Sequence, residues 1–230
     1  MVGYGKKVLF DNLTNPDLLS VDINASNPLI KVLIKNKIKY TIRDSKWFNR
    51  FDPQLNHQGV VVNFKSKTAL SLDDYLKQNL KTDLILIIDS IEDPQNFGAI
   101  MRTCDALGVK AIIYKKDHQV QINDFVNKAS MGACNYLHLF KVANLANTLP
   151  ALKANNYWIY SSALNDQAKA YNKITYADKV VLIVGNEKSG VSARLLSLSD
   201  TIIKIPMVGH VQSLNVSVAT GILLAEIIKH

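Results

Sequence analysis

The hydrophobic and polar positions fall into two textures that meet near residue 83. Before it, apolar stretches are short and interrupted. VLFDNL (8–13) suggests a short helix, and NPLIKVLIKNK (27–37) carries apolar residues at helical spacing, with Asn27 as N-cap and Pro28 in the first helical position. Residues 18–24, KYTIR (39–43) and the β-branched QGVVVNF (58–64) predict strands, and SKWFNRF (45–51) a short helix. A polar stretch follows (65–83), linker-like, with one short helix begun by Ser71. From Leu84 the runs become continuous. LILIID (84–89) and VVLIVG (180–185) have the pattern of strands buried on both faces. Further strands are predicted at 109–115, 136–142, 157–164 and 201–206. Helices are predicted at 99–108, closed by Gly108, and at 123–133, 144–153 and 213–229. Strands alternating with helices predict an α/β fold with a parallel sheet over 83–230. It is preceded by a small mixed α/β module (1–66) and a linker (67–82). No internal repeat or low-complexity tract interrupts this plan.

Composition narrows the class without choosing a function. Hydrophobic residues make up 48% and charged residues 20%, the balance of a chain that buries an ordinary core. The apolar runs are of strand length, well short of the roughly 20 residues of a membrane span. The opening MVGYGKKVLF has no apolar h-region, so a cytoplasmic protein is expected. Cys104 and Cys134 lack metal-ligand spacing and read as packing residues. The net charge of +8 suits a polyanionic partner. Its basic residues are nearly all Lys, with Arg only at 43, 50, 102 and 194, a skew that coding composition can also produce. The charge permits RNA binding without demonstrating it.

The chemistry-bearing residues sit in three stretches at the expected carboxyl ends of strands, where open parallel sheets bind ligands. The first is DSIEDPQNFGAIMR (89–102). Here Pro94 stiffens a turn, Asn96 can reach a substrate, Gly98 permits close backbone passage, and Arg102 falls on the first turns of the following helix. The second, GNEKSGVS (185–192), has Gly185 and Gly190 spaced as in a phosphate loop. Val191 stands where the phosphate-binding Lys would be, which excludes a nucleoside triphosphatase. No G-x-G-x-x-G follows a predicted strand either. What remains is a Gly-edged turn with one acid, Glu187, which could simply favour a helix N-terminus. The third, IPMVGHVQSLNVSVA (205–219), opens a long helix with Ser213 and Asn215, Ser213 being a plausible N-cap; His210 reads as a solvent-facing loop residue.

Together and in this order, the three stretches resemble the SpoU/TrmH family of RNA methyltransferases. Asn96, Gly98, Ala99 and Arg102 match its N-x-G-A-x-x-R stretch, and Gly185, Glu187 and Gly190 its Gly-x-Glu-x-x-Gly turn. Ile205, Pro206, Met207 and the run from Ser213 to Ala219 match its I-P-M…S-L-N-V-S-V-A ending, and KASMGACNYL resembles its A-S-x-G-A segment. The resemblance implies a deep trefoil knot, S-adenosylmethionine bound in a bent form by the knotted loops, and a homodimer through that region. It implies backbone grip on the cofactor at Gly185, Ile205 and Leu214, with Asn186, Met207 and Ser213 in the same binding set. It places Arg102 beside a ribose 2′-hydroxyl, with Asn96, Glu187, Ser213 and Asn215 ordering the catalytic pocket. The first segment, with its GKKVLFDNL start and HQGVVV end, is similar to the ribosomal-protein-like RNA-binding domain of members that modify a guanosine of 23S rRNA. A transfer RNA substrate, a non-catalytic RNA-binding assembly factor and base methylation by a related knotted enzyme remain as alternatives.

Overall fold

The computed structural model describes residues 2–65, 70–117 and 119–230; the end of the expected first module (66) and the start of the expected linker (67–69) lie outside the described residues. The described residues form two sheets. The smaller has the order β1-β4-β2-β3, from β1 (Val2–Tyr4), β2 (Leu18–Asn24), β3 (Tyr40–Arg43) and β4 (Val60–Phe64). Helices α1 (Gly5–Asp11), α2 (Ile30–Lys35) and α3 (Ser45–Phe48) connect them. Its strands β2 and β3 run parallel, while β4 runs antiparallel to β1 and β2. Leu9, Val21, Ile23, Leu33, Val60 and Val62 close a core of their own there.

The edge strand β1 is not predicted from the sequence, α1 starts at Gly5 ahead of the expected 8–13, and two further details differ. Asn27 does not cap α2, which begins at Ile30 after Leu29. Its side chain instead accepts from Leu29 N–H (3.1 Å) and donates to the Gln58 carbonyl (3.0 Å), so it ties two loops together. The strand expected from Gln58 begins at Val60, because Gln58 (φ 51°) and Gly59 (φ 68°) take left-handed conformations outside the extended range of a regular strand.

Helix α4 (Leu72–Leu76), capped by Ser71 as expected, lies within the linker-like stretch and packs against the larger sheet. That sheet has the order β7-β6-β5-β10-β8-β11-β9, with every neighbouring pair parallel. Its strands are β5 (Asp83–Asp89), β6 (Ala111–Lys115), β7 (His138–Val142), β8 (Trp158–Ser162), β9 (Lys169–Ala170), β10 (Lys179–Gly185) and β11 (Thr201–Lys204). The helices are α5 (Pro94–Ala106), α6 (Asp124–Ala129), α7 (Leu149–Ala154), α8 (Ala193–Leu198) and α9 (Val216–Ile227). The period-2 alternation of the strands separates two cores. Leu86, Ile88, Leu182 and Val184 face α5, α6 and α9, whereas Ile85, Ile87, Val181 and Ile183 face α4, α7 and α8. Both cysteines are buried and free, as their reading as packing residues requires.

Helix α5 starts earlier than the pattern predicts, at Pro94 rather than near Ala99. Asp93 accepts from the N–H groups of Gln95 and Asn96, and Pro94 occupies the first turn where no donor is needed. Gly98 is therefore a helical residue, and its close approach is between helices. A Cβ there would lie 2.4 Å from Ala129 Cβ. Helix α6 is shorter than the predicted 123–133, because Met131 (φ 54°) and Gly132 (φ 85°) end it in a left-handed turn. The two sheets touch at this turn. Asn127 Nδ2 donates to the Val2 carbonyl (2.5 Å), and Tyr136 hydrogen-bonds Asn12.

Candidate active site

Because β5 and β10 are parallel neighbours with Asp89 opposite Gly185, the loops that follow them leave the same edge of the sheet side by side. The loops after β8 and β11 leave that edge too. Between the last three lies a cavity of about 520 Å³, within the range of small-molecule sites. Gly185, Asn186, Ile205, Met207, Ser213 and Leu214, the expected cofactor set, all line it.

The Gly-edged turn is held from three directions. The backbones of Asn186 and Gly190 exchange hydrogen bonds at 3.1 and 2.8 Å. Asn186 Oδ1 accepts from Lys188 N–H (2.8 Å), and its Nδ2 reaches the Ser90 carbonyl (2.7 Å). The Asn186 side chain is thus committed to shaping the turn. Gly185 is dictated by space, since a Cβ would lie 2.1 Å from the Gly190 carbonyl carbon. Beneath the turn, the buried Asp89 carboxylate accepts from Ser192 N–H (2.9 Å) and pairs with Lys115 Nζ (2.5 Å). Burial alone would push this carboxyl up. The Lys115 ammonium and the Ser192 donors outweigh it and hold Asp89 below the ordinary carboxylate range.

Beside the cavity, whose wall includes Glu187, residues from all three sequence stretches join in one directed chain. Ser217 Oγ donates to Asn215 Oδ1 (2.6 Å), Asn215 Nδ2 to Asn96 Oδ1 (3.0 Å), and Asn96 Nδ2 to Glu187 Oε1 (2.6 Å). The carboxylate can only accept, so it fixes which way both amides point. Glu187 makes this contact and does not cap α8, whose N-cap is Ser192.

Three expectations change at this point. Asn215, not Ser213, caps α9, accepting from Ser217 N–H (2.9 Å); Ser213 is left exposed on the cavity wall. Arg102 lies on the third turn of α5 and not the first, because the helix begins at Pro94. Its exposed side chain makes no hydrogen bond or ion pair with a described residue and is not among the residues that line the cavity. His210 is exposed on its loop, as expected.

The structure also adds residues to the site. Asn165, in the loop after β8, lines the cavity, and its Oδ1 is buried with no donor among the described residues. An unsatisfied buried acceptor is costly, and an amine bound in the cavity would supply the missing donor. Lys204, at the end of β11, donates to the Asn165 carbonyl (3.2 Å) and holds that loop against the wall. The signal available for both is position alone, at the carboxyl ends of parallel strands. Among the described residues no His, Cys, Asp and Glu cluster could hold a metal, and no helix is long and apolar enough to cross a membrane.

Residues 83–225 match the model of the SpoU rRNA Methylase family. An uncharacterised tRNA/rRNA methyltransferase of Mycoplasma genitalium is 41% identical over 219 residues, 93% of this chain and 90% of that protein. The AdoMet-bound rRNA methyltransferase of Sinorhizobium meliloti superposes with a TM-score of 0.77 over 100% of this chain and 87% of its own, at 23% identity. The TrmH/SpoU tRNA modifying enzyme of A. aeolicus is 35% identical, with a TM-score of 0.60 over 69% of this chain and 83% of its own. The matched segment contains the cavity, the Gly-edged turn and the Asn96–Glu187–Asn215 chain, and the chain belongs to the SpoU rRNA Methylase family, RNA methyltransferases whose methyl donor is S-adenosylmethionine.

Proposed function

We propose that this protein methylates a ribose 2′-hydroxyl in RNA, with a guanosine of 23S rRNA as the substrate the chain fits best. The observation that carries this reading is the hydrogen-bonded chain from Ser217 to Glu187, which joins the three family motifs and ends on Glu187 in the wall of one cavity. S-adenosylmethionine, when bound, supplies an electrophilic methyl group on a sulfonium. The cavity lining fits such a ligand: the orphaned Asn165 Oδ1 would accept from one of its amines. Gly185, Ile205 and Leu214 would hold it through their backbones, with Asn186, Met207 and Ser213 completing the wall.

For the acceptor, the directed amide chain orders the side of the pocket at Glu187, and Ser213 remains exposed on the cavity wall. Holding the ribose in line with the methyl donor can contribute roughly 7–11 kcal/mol in well-oriented cases. Arg102, without a partner among the described residues, would clamp the adjacent phosphate and stabilise the developing alkoxide. A guanidinium rarely gives up its proton, so we favour this role over that of a general base. The expected trefoil knot around the β11–α9 connection and pairing of two subunits through this region belong to the same reading.

The sequence resemblance of the first segment to ribosomal-protein-like RNA-binding domains favours ribosomal RNA. Transfer RNA is the second reading, favoured by the 35% identity to a protein described as a tRNA modifying enzyme. The test is alkaline hydrolysis of ribosomal and transfer RNA after incubation with the protein and labelled cofactor. A single protected phosphodiester in 23S rRNA is expected. Label incorporated without a protected bond would indicate base methylation and overturn the proposal.

A further inference from the structure

Two recesses open on either side of the loop 56–59, far in sequence from the catalytic motifs. The loop is held in unusual backbone: Asn56 (φ 46°), Gln58 (φ 51°) and Gly59 (φ 68°) are left-handed. Non-glycine residues in that region cost about 1 kcal/mol or more each and persist only where the surroundings enforce them. Here the enforcement is visible. The Asn27 amide holds the Gln58 carbonyl, His57 Nδ1 accepts from Gly59 N–H (3.0 Å), and Gln58 Oε1 accepts from Lys6 N–H (3.3 Å).

On one side lies a recess of about 340 Å³ at the carboxyl ends of the parallel strands β2 and β3. Its lining is polar and uncharged, with Ser45, Asn49 and His57 around the ring of Phe48. Phe48 and His57 stack with centroids 5.0 Å apart. Asn24 and Asn27 are spent on internal bonds, whereas the Asn49 side chain and the His57 Nε2 make none with a described residue. Because Nδ1 accepts, the neutral ring carries its proton on Nε2, and burial lowers the His57 pKa toward that neutral form. On the other side, a recess of about 250 Å³ is lined by Lys6, Lys7 and Lys128 against one acid, Asp11. None of the three lysines is ion-paired with a described residue. Lys128 comes from α6, so this recess spans the two sheets.

We infer that the loop 56–59 is a binding site for one unpaired nucleotide of the RNA substrate, its base in the Asn49–His57 recess and its backbone phosphate among Lys6, Lys7 and Lys128. The inference rests on the RNA reading above and deepens it. An uncharged recess with a free amide and a neutral imidazole donor suits the edge of a base and carries no charge to neutralise a phosphate, which the lysine recess does. Bases that can be so held are those splayed from single-stranded loops and bulges.

The test uses the full chain and two labelled RNAs that share a stem, one closed by an unpaired loop and one a blunt duplex, in fluorescence anisotropy across salt. The native protein is expected to prefer the looped RNA. Asn49→Ala and His57→Phe, the latter keeping the ring on Phe48, are expected to erase that preference, about tenfold. Changing Lys6, Lys7 and Lys128 to Gln is expected to weaken binding of both RNAs. It should also flatten the salt dependence by about 0.7 in log–log slope for each phosphate no longer neutralised. Calorimetric binding of S-adenosylmethionine checks that each variant is folded. Variants that keep the native preference and slope, while the native protein methylates RNA, overturn this inference alone. A native protein that transfers label to no RNA removes the functional reading and this site with it.

Discussion

Asn96 Nδ2 lies 2.6 Å from Glu187 Oε1, joining residues 91 positions apart beside the cavity. This short charge-assisted bond decides the orientation of two amides, since Asn215 in turn donates to Asn96 Oδ1. Substituting Glu187 with Gln removes the charge and allows the chain to reverse. The expected result is a roughly tenfold loss in kcat with cofactor affinity little changed. A double-mutant cycle of Asn96→Ala and Glu187→Ala should give a coupling of about 1 kcal/mol, reduced from that of a buried charged bond by the exposure of Glu187. Additive losses would show that the two side chains act independently.

Gly185 presents the sharpest steric demand in the site. Gly185→Ala would place a methyl 2.1 Å from backbone, which no side-chain rotation relieves. The turn must shift, and the cavity wall with it. Destabilisation of about 1–3 kcal/mol in denaturant unfolding and loss of cofactor binding by calorimetry are both expected. A variant that binds the cofactor normally would remove this turn from the binding wall.

Asn165 separates binding from folding. Its Oδ1 has no donor among the described residues, so Asn165→Leu removes an unsatisfied buried acceptor and should leave the melting temperature equal or raised. Affinity for S-adenosylmethionine should fall by about tenfold, the value of one hydrogen bond in a dry site. Unchanged affinity would mean that the cofactor does not reach the loop after β8.

The Asp89–Lys115 pair gives the site a pH limit. Asp89 has a folded-state pKa below its unfolded value, which is near 3.9. Its stabilisation is therefore complete above the unfolded value and lost as pH falls through the lowered folded one. Binding of S-adenosylmethionine should hold from neutrality down to about pH 4 and fail only in more acid solution, where Asp89 takes up its proton in the folded protein. Asp89→Asn should destabilise by about 3 kcal/mol in urea unfolding, the lower end for breaking a buried pair because Lys115 keeps some contact with water. An acid limit that persists unchanged in Asp89→Asn would assign it to another group.

What can be read in the sequence follows from what each signal measures. Runs such as 84–89 and 180–185 report burial on both faces, and those strands stand where the pattern puts them. Helix starts are misplaced where capping, not periodicity, sets the boundary. Asp93 begins α5 five residues ahead of the apolar pattern, and Asn215 displaces Ser213 as the cap of α9. Hydrophobic spacing does not reveal the left-handed Gln58, whose carbonyl is held by the distant Asn27 amide, or the left-handed Met131, which belongs to the local hydrogen-bonded turn that closes α6. The six cofactor-set residues fall on one cavity because motif order carries loop position in a parallel sheet. Asn165 escapes because a single polar residue after a strand has no pattern to mark it.

Arg102 provides the most direct test of the chemistry. Its side chain is exposed, makes no hydrogen bond or ion pair with a described residue, and lies outside the cavity lining. Arg102→Ala should therefore change stability by no more than about 0.5 kcal/mol, as for other surface substitutions. Cofactor affinity should stay at the native level. Turnover should fall by about 10²–10³, the loss seen when one donor to a developing oxyanion is removed. Arg102→Lys distinguishes the clamp from a point charge. Lysine keeps the positive charge but not the planar fork, so a two-pronged phosphate contact predicts that it rescues little of the lost rate. Substantial rescue would point to charge alone, and near-native turnover in Arg102→Ala would remove the residue from the mechanism.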